Sequence, residues 1–185
     1  MEELIFEPYS HKQHYEELND FSNDARGDSF NRYLTYGLLN LRDEAGDFIE
    51  LYDPLLNTRS ETVHPYVLRA KSETEARIVG FCVLNWSIDE EDRKTLAVFH
   101  IVIRPSEQGK RYGTKAIEEI IKNGKTLVSN NYDEIFCSVD KKNDASRKMF
   151  EKLGFVKEAS GFKYDMYSRK EREFSKEAKE NAEAE

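Results

Sequence analysis

The sequence predicts a single α/β domain built on a mixed, mostly antiparallel sheet with flanking helices. Three observations predict it. The run from Leu96 to Asp140 reads strand, helix, strand, a crossover that sets two strands parallel. Val63 to Trp86 and Phe155 to Tyr167 each read as two strands around a short polar turn, the signature of an antiparallel hairpin. A chain of 185 residues, 38% hydrophobic and 12% aromatic, can bury one sizeable core but not two full domains.

Taken in order, Leu4 to Tyr9 is expected as a first short strand. Ser10 to Asn40 reads as one or two helices, with Asn19-Asp20 and Gly27-Asp28-Ser29 as turn or cap signals. Asp43 to Thr62 is polar, holds Gly46 and Asp53-Pro54, and reads as an irregular connection. Val63 to Lys71 alternates as a strand; a charged turn at Ser72 to Ala76 leads to its partner, Arg77 to Trp86. Asp89 to Lys94 is a second charged turn. It opens Leu96 to Ile103, which is β-branched and apolar on both faces, as a central strand requires.

Past Pro105 the period changes. Ala116, Ile117, Ile120, Ile121, Leu127 and Val128 recur at helical spacing, which places a helix from about Arg111 to about Ser129. Asp133 to Asp140 is the next strand. Ala145, Met149 and Leu153 line one face of a further helix, with Gly154 as its left-handed cap. A last hairpin turns at Ser160-Gly161. Arg169 to Glu185 is dense in Lys and Glu and is expected as a solvated tail beyond a domain of residues 1–168.

Composition narrows the function. A net charge of −8 is a poor overall match for nucleic acid, whose affinity rests on clustered Lys and Arg, so no nucleic-acid partner is expected. No apolar run approaches the roughly 20 residues that span a bilayer, and the acidic start is no basic leader. Cys82 and Cys137 sit singly in apolar runs. They read as buried thiols in a reducing compartment, which makes the cytoplasm the expected location. The four histidines show no metal-ligand spacing, and no metal is expected.

The stretch that carries chemistry begins where the central strand ends. Ile103 runs into Arg104 and Pro105, and Gly109 and Gly113 bracket a helix start. The first turn of a helix leaves about four N–H groups without partners and adds roughly half a positive charge. Glycines clear side chains from those amides, and Gln108, Gly109, Lys110, Arg111, Tyr112, Gly113 and Thr114 read either as a cradle for a diphosphate or, taken alone, as an ordinary β–α turn with a glycine near a helix start. Lys110, Arg111 and Lys115 add local positive charge.

A second segment, Val139 to Phe155, follows the next strand. Together the two segments resemble the GCN5-related N-acetyltransferase (GNAT) superfamily. Gln108, Arg111 and Gly113 stand where that family has Gln/Arg-x-x-Gly-x-Gly/Ala, with Arg111 replacing the middle glycine. Asn143, Ser146, Phe150, Gly154 and Phe155 match its Asn-x-x-Ser/Ala-x-x-x-Phe/Tyr-x-x-x-Gly-Phe segment.

The resemblance covers roughly Arg77 to Phe155. It implies acetyl-CoA as co-substrate, and a central pair of parallel strands, Leu96–Ile103 and Asp133–Asp140, that splay to admit the pantetheine arm. Ile101, Val102 and Ile103 would offer main-chain groups to that arm. Asn143, Ser146 and Phe150 would complete the contacts. Arg111 brings a Cβ to a position where the family usually has none.

Acid and base are open at this level. Relatives place a Glu or His early in the central strand, where this chain has Ala97 and Phe99. His100 is the nearest titratable side chain, and it reads either as a general base or as a buried imidazole on the opposite face. Ser138 on the neighbouring strand is an alternative, as are Asp89 and Glu90 acting through water. Several members carry a Tyr acid where Phe150 stands, so Tyr164 and Tyr167 are the substitutes.

The expected reaction is direct transfer of an acetyl group to a small-molecule or protein amine, by a monomer or homodimer. Asp20, Asp24, Asp28, Asp43, Glu44 and Asp47 suit a cationic acceptor, or are simply a solvated face. Phe21, Phe30, Tyr33 and Tyr36 read as core of the helical segment. The alternative function is a non-catalytic acyl-CoA-binding module.

Overall fold

Long β-branched runs bounded by charged turns dictate the centre of the molecule. The computed structural model describes residues 2–10, 13–14, 16–18, 52–53, 58–59, 63–73 and 75–171. Within them β1 (Glu3–Pro8), β4 (Val63–Lys71), β5 (Ala76–Ile88), β6 (Lys94–Ile103), β7 (Glu134–Asp140), β8 (Val156–Ser160) and β9 (Tyr164–Lys170) form one sheet in the order β1-β4-β5-β6-β7-β9-β8. Helices α1 (Tyr112–Val128) and α2 (Asp144–Lys152) follow β6 and β7. β6 and β7 pair parallel; β1 with β4, β7 with β9 and β8 with β9 pair antiparallel. The mixed sheet expected from the sequence is therefore present.

By internal contacts the chain groups into two compact units, Met1–Leu84 with His100–Ala116, and Asn85–Phe99 with Ile117–Glu185. In the first, β1 and β4 match Glu3 to Lys71 through Pro8 to Tyr66. Its core gathers Leu18, Val67, Ile78, Phe81, Val83 and Val102, with Tyr9 and Val63 against it. The Tyr9 and Phe81 rings meet edge to face at 5.9 Å. Helical residues at 13–14 and 16–18 are tied in through polar groups. Glu17 accepts the Ile78 amide at 3.0 Å, and His14 Nδ1 accepts the Ser10 amide at 2.9 Å while Nε2 faces Glu7 at 3.1 Å.

In the second unit the parallel ladder takes in Thr95–Val98 and Glu134–Cys137, while β6 runs on to Ile103 and β7 to Asp140. β9 lies along the whole of β7, from Glu134 opposite Lys170 to Asp140 opposite Tyr164. Ile117, Ile120, Gly124 and Val128 of α1 are buried at the three-to-four-residue spacing of an amphipathic helix. Gly124 is required by packing: a Cβ there would press into the Tyr132 phenol and come within 3.0 Å of Leu96 Cδ2.

Three expectations change. A two-stranded piece, β2 (Tyr52–Asp53) with β3 (Thr58–Arg59), lies in the stretch expected to be irregular, on either side of Pro54. The expected domain end at 168 falls inside β9, because Arg169 and Lys170 still pair with Ile135 and Glu134. On α2 the buried residue is Phe150, not Ala145, which is exposed. A nine-residue helix closed by Phe155 turns its fully buried stripe toward the aromatic rather than toward the alanine. Most of the expected helical stretch between Ser10 and Asn40, its acidic and aromatic residues, and residues 172–185 lie outside the described residues.

Candidate functional site

β6 delivers the chain to a proline that cannot continue the ladder. Pro105–Glu107 form one 3₁₀ turn, with the Glu107 amide on Arg104 O at 2.8 Å and the Gln108 amide on Pro105 O at 3.3 Å. Two left-handed residues follow two apart, Gly109 at φ 80° and Arg111 at φ 67°. The first helical bond of α1 runs from the Lys115 amide to Arg111 O at 3.0 Å. Among the described residues the amides from Gly109 to Thr114 thus have no acceptor. Successive amides through left-handed residues at a helix start form a concave anion site.

Arg111 is informative because of its backbone. A side chain at φ near 60° costs on the order of 1–2 kcal/mol relative to glycine. The turn keeps this conformation all the same, so the Cβ does not open it. A Cβ on Gly109 would meet nothing within 4 Å among the described residues, which leaves the mouth of the turn clear of them. Gln108 braces the turn from below: its Nε2 donates to Ile103 O at 3.1 Å. The protein itself therefore engages a carbonyl that the resemblance offers to the pantetheine arm. Val102 is buried in the core, while Ile101 and Ile103 are partly exposed.

The expected ring of cations is corrected in part. Lys110 Nζ pairs with Glu107 at 3.1 Å, and Lys115 Nζ donates to Glu2 O at 3.3 Å. Arg111 is exposed and has no side-chain partner among the described residues. Tyr112 has only its amide to offer an anion, since its side chain is 3% exposed and its hydroxyl donates to Glu2. Arg77 reaches the same cluster, donating to Glu2 Oε1 at 2.6 Å and to Glu107 Oε2 at 3.2 Å. Hydrogen bonds from Arg77 and Tyr112 hold the Glu2 carboxyl down at about 2, and Glu2 followed by Glu107 drives the Arg77 guanidinium up. Sequence reasoning misses the Arg77–Glu2–Glu107 cluster. Its members are 30 and 75 residues apart in sequence, and the one local signal is Glu107 three residues before Lys110.

In the second unit, Asn143 caps α2. Its Oδ1 accepts the Ser146 amide at 3.1 Å, so two residues expected to contact a ligand bond to each other. Phe150 is 3% exposed and meets the Phe155 ring edge to face at 5.0 Å. The helix closes with the Phe155 amide on Phe150 O and the Gly154 amide on Glu151 O, around Gly154 at φ 81°.

The candidate acid–base residues differ in setting. His100 is largely shielded from solvent, and desolvation lowers its pKa, which keeps the imidazole neutral. Ser138 is exposed on β7, opposite Met166. Tyr164 is half-buried, with Lys163 Nζ 5.1 Å from its ring centre. Tyr167 is buried, and its hydroxyl donates to Glu151 at 3.2 Å, which makes it a core residue. Asp89 is engaged by Arg93 and two amides of its own turn. Both thiols are buried, with Cys82 pushed up by desolvation and Cys137 pushed up to about 12, as expected of inert core cysteines.

A family model described as an acetyltransferase (GNAT) domain matches residues 3–156. The chain belongs to this GNAT family. No curated protein matches it in sequence. Solved structures do match in fold. An acetyltransferase from Thermus thermophilus is 18% identical with a TM-score of 0.57, over 90% of this chain and 96% of that one. A spermidine N-acetyltransferase SpeG chimera from Vibrio cholerae and hSSAT is 14% identical with a TM-score of 0.59, over 93% and 98%. AtaTR bound with AcCoA is 16% identical with a TM-score of 0.60, over 93% and 96%. Identities this low establish the GNAT fold. No described helix is long and apolar enough to cross a membrane.

Proposed function

We propose that this chain passes the acetyl group of acetyl-CoA directly to a primary amine held in the same ternary complex. The observation that carries the reading is the turn after β6. There the amides from Gly109 to Thr114 lack acceptors among the described residues and run through two left-handed residues at the start of α1. Family membership supports acetyl-CoA as the co-substrate, and the AtaTR structure of the same fold holds AcCoA. When bound, acetyl-CoA supplies an activated thioester.

The chain's own residues do the rest. The amides of the turn would hold the diphosphate, and Arg111 would add the one exposed cation of the turn whose side chain is uncommitted among the described residues. The main chain of Ile101 to Ile103 would offer groups to the pantetheine arm, with Ile103 O engaged by Gln108. The resemblance assigns Asn143, Ser146 and Phe150 to the same ligand.

An amine attacks only when neutral, and a lysine-like pKa near 10.4 leaves roughly one molecule in 10³ neutral at pH 7. His100, kept neutral by its surroundings, is the residue to take that proton. Ser138 and Tyr164 are the alternatives for moving protons. A net charge of −8 favours a cationic acceptor over nucleic acid. The buried thiols favour a cytoplasmic setting.

A second reading, a non-catalytic acyl-CoA-binding module, is favoured by Phe150, a buried ring without a hydroxyl where relatives carry an acid. Coenzyme A release over a panel of polyamines, aminoglycosides and lysine peptides separates the two. Turnover on at least one amine is the expected result; tight acetyl-CoA binding without turnover on any supports the module. Gly113→Val should raise KM for acetyl-CoA about tenfold or more by crowding the amides. An unchanged KM would remove the diphosphate from this turn.

A further inference from the structure

We propose that Arg77 is a positioning residue for the turn, stapling both of its ends with one guanidinium. The inference rests on reading that turn as the diphosphate site. Arg77 stands at the start of β5, outside the turn. Its Nε and Nη2 donate to Glu107 at 3.4 and 3.2 Å, and its Nη2 also donates to the Tyr112 hydroxyl at 3.4 Å. Glu107 is the last residue of the 3₁₀ turn and Tyr112 the first of α1. Between these anchors lie Gln108 to Arg111, including both left-handed residues.

Glu2 closes the ring. It takes Arg77 Nη1 at 2.6 Å and Nη2 at 3.3 Å, and it accepts the Tyr112 hydroxyl. A planar fork of five N–H donors can serve carboxylates on two sides at once, which the point charge of a lysine cannot do. Glu107 and Tyr112 are both shielded from solvent, so screening is weak where the staple grips.

Sequence and conformation give the staple its task. Arg111 holds a left-handed backbone without the freedom of glycine, so the turn does not keep its shape by local preference alone. Fixing Glu107 and Tyr112 fixes the span between them. Glu107 also pairs with Lys110 and the Glu2 main chain holds Lys115, so two of the cations are tied to the protein and recognition rests largely on the oriented amides. Amides placed in advance cost the ligand no reorganisation.

The test compares wild type with Arg77→Gln and Arg77→Lys. Amide hydrogen exchange in the ligand-free protein is read at Glu107, Gln108 and Lys115, the bonded amides flanking the span, with the β7–β9 amides as internal reference. Acetyl-CoA dissociation constants are read by calorimetry. The expected result for Arg77→Gln is loss of protection at the three flanking amides with the reference unchanged. The acetyl-CoA dissociation constant should rise about tenfold or more, and kcat should move much less. Arg77→Lys should recover part of both effects.

Unchanged flanking exchange in Arg77→Gln overturns the staple. Loosened exchange with unchanged acetyl-CoA affinity overturns its positioning role. If wild type binds no acetyl-CoA while exchange still depends on Arg77, the functional reading fails and the staple stands as a purely structural device. Should Arg77→Gln not fold, Glu107→Gln removes one charge of the pair and must shift exchange in the same direction, and no shift overturns the proposal.

Discussion

Gly109 and Gly154 share one backbone conformation, φ 80° and 81°, and differ in what surrounds them. Replacing each with alanine separates backbone strain from packing. At Gly109 a Cβ meets nothing within 4 Å among the described residues, so only the left-handed penalty applies, about 1–2 kcal/mol. At Gly154 the Cβ presses on Arg169 Nη1 and lies 3.3 Å from its Cζ. That guanidinium donates to Leu153 O, one of the free carbonyls at the end of α2, and the residue is 6% exposed. Moving it forfeits a charge-assisted bond in a buried setting, about 1.5–3 kcal/mol. Gly154→Ala should therefore destabilise by about 2.5–5 kcal/mol in all, against about 1–2 for Gly109→Ala.

Urea titration of both variants with wild type gives the comparison, provided the slopes agree. Affinity for acetyl-CoA should fall in Gly109→Ala and hold, per folded molecule, in Gly154→Ala. Equal destabilisation of the two would refute the role given to Arg169. Equal affinity in Gly109→Ala and wild type would count against the open turn as the ligand's seat.

Three further outcomes are expected. Gly124→Ala should lower Tm, because pressing on the buried Tyr132 phenol costs about 1–3 kcal/mol and outweighs the gain of about 1 kcal/mol from helix preference; a raised Tm would show that Tyr132 moves freely. Glu2 has a folded pKa of about 2 against an ordinary 4.5. Its contribution to stability is therefore present above pH 4.5 and lost as pH falls toward 2, and Glu2→Gln should flatten the fall in urea midpoint over that window. His100→Ala should depress kcat near neutral pH, and with wild type the acidic limb of kcat/KM should lie below the ordinary histidine value of 6.5, because burial lowers the imidazole pKa of the free protein. An unshifted pH profile in His100→Ala acquits His100 as the base.

Much of the fold is legible in the sequence because periodicity and turn chemistry are local. β4, β5 and β6 stand where alternation and charged turns put them, and α1 matches its apolar spacing within a residue or so. Gly154 is legible as a cap because a left-handed closing residue favours glycine. The same rule makes Arg111 a distortion of the turn, yet the backbone holds φ 67° there. The forces that hold it act through Glu2 and Arg77, and no window of sequence brings residues 2, 77, 107 and 112 together. The burial of Phe150 in place of Ala145 is hidden for a related reason, since the partner ring of Phe155 lies beyond the helix. His100 stays double in the sequence because alternation gives a face but not a depth.

The central claim is that the turn from Gln108 to Thr114 grips a diphosphate with its backbone. A crystal structure of the protein with coenzyme A tests it most directly. Diphosphate oxygens within about 2.7–3.2 Å of amides between Gly109 and Thr114 are the expected result. A ligand seated elsewhere with the turn unoccupied, or those amides turned onto the protein's own side chains, would contradict the account.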